Sequence, residues 1–129
     1  VGMDILMRST DWRLIFRLGL LAYLAIISFL AFAPLASAPG TGHDKVNHIM
    51  AFFVLTGLAD RAYPGPSPGR GWRKWVSVLA FGLFIEAVQY FLPYREFSLW
   101  DLGADGIGIL LYVAGARLAI SANRGRTRP

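Results

Sequence analysis

The sequence predicts an all-α membrane protein: four transmembrane helices in an antiparallel bundle, with both termini cytoplasmic. Three observations predict it. The composition is 55% hydrophobic with a mean hydropathy of +0.47, and 14 glycines come on top of that share. Soluble domains run at roughly 45–50% apolar even with glycine counted. Four apolar runs, near residues 14–33, 44–63, 75–92 and 100–120, are separated by Pro-, Gly- or charge-rich breaks. The basic residues fall almost entirely on alternate connections, as a multi-pass topology requires.

The first run carries no charge from Leu18 to Ala38, enough for the ~20 residues that cross the hydrocarbon. Pro34 and Pro39-Gly40 end it. A secretory signal is the rival reading, with Arg8, Arg13 and Arg17 as its basic region and Ala36-Ser37-Ala38 as a cleavage site. The run is longer than a signal core of ~7–15 residues, and Pro39 follows the cut, so a span is preferred. The second run is uncharged only from Val46 to Ala59, so Asp44-Lys45 or Asp60-Arg61 must lie at headgroup level, where the long bases can snorkel. Tyr63 to Gly71 is a Pro- and Gly-rich linker. Trp72 and Trp75, interleaved with Arg73 and Lys74, mark a membrane boundary before the third run, and Trp100 marks another before the fourth. Residues 1–13 and 121–129 are polar, and all 129 residues are expected to form one domain.

Thirteen Lys and Arg residues give a net charge of +5. Only Lys45 and Arg95 lie beside the two connections on one side; the other bases precede or open the first run, lie between the cores of the second and third, or close the chain. The positive-inside rule then places both termini in the cytoplasm. The charge is explained by topology and contact with anionic lipid, and nucleic acid is not an expected partner. Cysteine is absent, which excludes disulfides and thiolate metal sites.

This topology gathers polar residues from three helices at the outer face. Asp44, Lys45 and His48 open the second span, Glu86 and Gln89 lie near the end of the third, and Asp101 and Asp105 open the fourth. Arg95 and Ser98 lie in the outer loop between. The spacings of three or four put each set on one helix face. An ionisable residue inside a span is costly, and its default reading is a functional site. Gly103, Gly106 and Gly108 are expected to bring the fourth span close to its neighbours.

The ordered set Asp44-Lys45-x-x-His48, Glu86-x-x-Gln89 and Pro93-x-Arg95-x-x-Ser98-x-x-Asp101-x-x-x-Asp105-x-x-Gly108 resembles the VanZ-like family of small bacterial membrane proteins. The likeness covers about Asp44 to Gly108 with the four spans in order. It departs at Ile49, where the family commonly has an aromatic, and at Asp105, where it commonly has Asn, which adds an anion beside Asp101. The resemblance implies a bacterial inner-membrane protein of the cell envelope. The family's namesake is associated with low-level resistance to the glycopeptide teicoplanin.

Three functions follow. The first is a binding protein whose outward-facing site, made by Asp44, Lys45, His48, Glu86, Gln89, Arg95, Ser98, Asp101 and Asp105, takes an envelope-lipid headgroup or an amphiphilic glycopeptide-type ligand. Lys45 and Arg95 would grip its anion, and Glu86 and Gln89 would orient it. The second is a membrane enzyme acting on a lipid-linked phosphate or ester, with His48 and Glu86 as acid and base and Ser98 as the candidate nucleophile. The third is a structural bundle whose polar cluster locks the helices. Transport is disfavoured, because the inner half shows no matching polar path. Three carboxylates and a histidine suit several divalent cations, but the spacing is no known metal signature, so neither a metal nor a cofactor is expected.

Overall fold

The computed structural model describes residues 9–33, 43–65, 71–95 and 98–126, without the side chains of residues 9, 10, 43 and 44. It holds four α-helices in chain order: α1 (Ser9–Phe32), α2 (His43–Ala62), α3 (Trp72–Phe91) and α4 (Leu99–Arg126). Three of them, α1, α3 and α4, are long and apolar enough to cross a membrane, with mean hydropathies of 2.2, 1.2 and 1.4. These helices fit a membrane-embedded protein. The expected site residue Asp44 lies in α2, but its carboxylate falls outside the described residues.

The helix ends follow from the sequence. Leu92 closes α3 in an extended conformation (φ −90°, ψ 126°), the region to which the residue before a proline, here Pro93, is restricted. Pro34 likewise follows the last turn of α1. Asp101 stands in the first turn of α4, and Arg124 and Arg126 in its last, so both ends complement the helix dipole. Helices α1 and α4 overrun the apolar runs, starting at Ser9 and finishing at Arg126, because a helix need not stop where its apolar run does.

Helix α2 is the hub. It packs against all three others, most extensively against α4, while α1 and α4 share no direct interface among the described residues. Its Phe52, Leu55 and Ala59 form the core with Val78 of α3 and Ile109 of α4. Helix α1 is peripheral: no residue of its most apolar stretch is buried, and Leu18, Leu21 and Phe29 all face outward. Such a face is untenable in water and natural against lipid. Tyr23 of α1 donates a hydrogen bond to the Ala51 carbonyl (2.9 Å) and fixes it to the hub.

Close approach depends on two glycines rather than on a row of them. A Cβ at Gly108 would meet the backbone of α2, at the Ile49 carbonyl and at the Phe53 nitrogen (3.0 Å). A Cβ at Gly82 of α3 would fall 2.7 Å from Asp105 Oδ2 and 3.1 Å from the Phe52 ring. The expectation for Gly103 and Gly106 is corrected, since nothing lies within 4 Å of a Cβ at either. They lie on α4 faces turned away from the seam.

Gly108→Ala is therefore expected to destabilise the fold by about 1–3 kcal/mol, as overpacking against backbone does. Gly103→Ala should leave stability unchanged or raise it by up to about 1 kcal/mol through helix propensity. Thermal unfolding in detergent micelles, followed by circular dichroism, separates the two.

Candidate functional site

The ionisable residues meet where α2 and α4 begin and α3 finishes. Asp101 and Asp105 stand one turn apart on α4, and Lys45 and His48 one turn apart on α2. His48 Nδ1 is 2.8 Å from Asp105 Oδ1, and its Nε2 is 3.7 Å from Asp101 Oδ2, so the ring bridges the two acids. Lys45 Nζ pairs with Asp101 Oδ1. Asp101 and Asp105 are buried. The acids are thus held by α2, through bonds that double as the α2–α4 lock.

Glu86 comes from α3 and is only 1% exposed. Its Oε2 accepts a hydrogen bond from the Ser98 backbone N–H (3.2 Å), which ties the end of α3 to the start of α4. Its Oε1 is buried and has no hydrogen-bond partner among the described residues. One ligating atom each of His48, Glu86 and Asp101 lies within 4.8 Å of the others. Residues far apart in the chain therefore share one small volume.

The expected site residues Gln89 and Arg95 point elsewhere. Gln89 Nε2 donates to the Ala31 carbonyl (3.0 Å) and Arg95 Nη2 to both Leu30 (2.8 Å) and Ala33 (2.9 Å), and Tyr94, which the sequence did not single out, donates its hydroxyl to the Phe32 carbonyl (2.6 Å). Together they satisfy carbonyls that the end of a helix leaves without partners, and a cation there meets the negative end of the dipole. Ser98 contributes its backbone amide. Lys45 and Arg95, expected to grip one anion, are directed to different partners, Asp101 and the end of α1.

A second polar set lies at the opposite end, where sequence reasoning expected none that matched. Lys74 of α3 pairs with Asp60 of α2 (2.8 Å), and the Tyr112 hydroxyl of α4 donates to the same carboxylate (2.8 Å). Arg17 Nε donates to the Ala62 carbonyl at the end of α2 (3.0 Å) and stacks over Tyr63. The available signal was the charge of Asp60 and Lys74, where α2 finishes and α3 begins; nothing in the spacing marked Tyr112. The Phe52, Leu55 and Ile109 layer separates this set from the first. A mostly apolar groove of about 400 Å³ also lies toward this end, between α1, α2 and α3, away from the acidic cluster.

No protein-family model matches the chain, and no solved structure does. Over 92 residues it is 35% identical to a protein of Schizosaccharomyces pombe, the uncharacterized protein C11E3.10. That stretch is 68% of this chain and 54% of the relative, so the chain spans about half the length of the relative it matches.

The site can do two things chemically: hold its helices together through Lys45, His48, Asp101 and Asp105, and offer acidic oxygen to a ligand through Glu86. The part played by Arg95 is separable from both. Arg95→Ala should destabilise the fold by about 1.5–3 kcal/mol, the range for hydrogen bonds to a charged group. Arg95→Lys should recover only part of that, because Lys lacks the planar fork of donors. Melting temperatures in detergent, measured for both variants, check the order.

Proposed function

We propose that this chain is a VanZ-like integral membrane protein: a four-span antiparallel bundle with both termini cytoplasmic. In this reading the acidic cluster faces the extracytoplasmic side and binds the headgroup of an envelope lipid or an amphiphilic glycopeptide-type ligand. The observation that carries it is the buried Glu86 carboxylate beside His48 and Asp101, with one oxygen unpartnered among the described residues. A buried carboxylate oxygen without a partner is costly, and its place beside His48 and Asp101 favours a ligand there over a helix lock alone. Helix α2, less apolar than the others, crosses as the hub with its polar ends at the two headgroup layers, and α1, α3 and α4 shield it. The distribution of bases supports the orientation.

The contents of the site bear on the ligand. Acids outnumber available bases, so it suits a headgroup that presents hydrogen-bond donors or positive charge better than a bare anion. A link to envelope integrity or to glycopeptide resistance is the extension of this reading to the cell. The structural reading accounts for the bonds that Gln89, Tyr94 and Arg95 Nη2 donate to α1; among the described residues it leaves both Glu86 Oε1 and Arg95 Nε buried without a partner.

Native mass spectrometry of the purified protein tests the proposal. Wild type should carry co-purified lipid. Glu86→Gln should keep the wild-type circular dichroism and melting temperature while lipid occupancy falls by roughly tenfold, the scale of one lost charge-assisted hydrogen bond. Full lipid retention by a folded Glu86→Gln variant would sink the binding reading. Loss of the fold in that variant would favour the helix-locking alternative.

A further inference from the structure

We propose that His48, Glu86 and Asp101 bind a divalent transition-metal ion, with Asp105 orienting the histidine. The inference rests on reading the cluster as a ligand site and names what that site takes first. One nitrogen and two carboxylate oxygens from three different helices lie within 4.8 Å of one another. Protein ligands on a tetrahedral ion at about 2.1 Å stand about 3.4 Å apart. His48 Nε2 and Asp101 Oδ2, at 3.7 Å, are already near that spacing, and a carboxylate oxygen of Glu86 lies within 4.8 Å of a ligating atom of each.

Three further features point to a cation. Glu86 Oε1 is buried and unpartnered among the described residues, while Oε2 is held by Ser98, so one oxygen is left to serve a ligand. His48 Nδ1 lies 2.8 Å from Asp105 Oδ1, which leaves Nε2 facing Asp101. A carboxylate bonded to the far nitrogen of a ligating histidine is the usual way in which a protein fixes tautomer and ring direction at a metal. The acids also favour a cation: among the described residues Glu86, Asp101 and Asp105, formally three negative charges, meet at this cluster, with Lys45 on Asp101. A divalent ion would offset charge that burial makes costly.

One nitrogen with two carboxylates suits Zn²⁺, Fe²⁺ or Mn²⁺ rather than the all-oxygen preference of Mg²⁺ and Ca²⁺. Three protein ligands leave a fourth position open, as catalytic and ligand-binding metal sites do. A headgroup phosphate or hydroxyl is the chemistry that would complete it. Lys45 then acts as a competing cation on Asp101.

The test is titration of the intact, chelator-stripped protein in detergent micelles with Zn²⁺ alone, by calorimetry, and with Co²⁺ alone, by its visible absorption. Wild type should bind one ion with tetrahedral Co²⁺ bands. Glu86→Gln and His48→Gln should weaken binding by roughly tenfold or more, and Asp105→Asn by about 10- to 100-fold. Lys45→Met should tighten it by removing the rival charge, a gain that damaged folding cannot imitate. Absence of ion binding in folded wild type overturns the proposal, as does binding that is indifferent to Glu86→Gln. Lipid retention in the presence of chelator is read separately. Lipid held without any ion binding overturns the metal assignment and leaves the headgroup reading intact, whereas ion binding without lipid upholds the metal site and removes the headgroup.

Discussion

The carboxylate of Asp105 is the point on which three helices meet. It takes His48 from α2 on one oxygen, and its other oxygen lies against Gly82 of α3, where an added Cβ would fall 2.7 Å from it and force a shift. One helical turn further along α4, Gly108 lets that helix touch the backbone of α2 directly. In lipid there is no hydrophobic drive between helices, so close packing and interhelical polar bonds must supply the association. This seam has both. It also fixes the direction of the His48 ring, so the group that locks the bundle is the same one that sets the geometry of the site.

Helix ends impose the second constraint. Four carbonyls at the end of any helix lack partners, and a low-dielectric surrounding makes that deficit more costly than it is in water. The chain answers twice with arginine: Arg95 at the end of α1 and Arg17 at the end of α2. Tyr94 and Gln89 add to the first. These bonds add to the packing of Leu20, Tyr23 and Leu24 on the core in holding the peripheral α1 in place.

Much of this was legible in the residues, and the part that was not has a common cause. Apolar runs and Pro and Gly breaks located four helices, and spacings of three or four put Lys45 with His48 and Asp101 with Asp105. The depth argument placed Glu86 at the same level as those pairs. Rotation about each helix axis was not legible. A lipid-facing surface is as apolar as a core, so the usual hydrophobic stripe that reveals the inward face is lost. For this reason Gly103 and Gly106 looked equivalent to Gly108, and Gln89 looked like a site residue when its donor turns to α1; Arg95 misled differently, because a loop residue carries no sign of which helix end it will cap. Tyr112 was invisible for the same reason: a tyrosine in an apolar run carries no sign of which neighbour its hydroxyl will meet.

The connection between α3 and α4 joins the two constraints. At its start, Tyr94 and Arg95 grip the end of α1; at its end, the Ser98 amide holds Glu86. The end of α1 and the one acid whose second oxygen is unpartnered among the described residues are therefore held from residues only three or four apart in the chain. The helix that contributes no side chain to the acidic cluster is thus tied to it through the backbone, because the cap on its carbonyls and the anchor of Glu86 belong to one short stretch of chain.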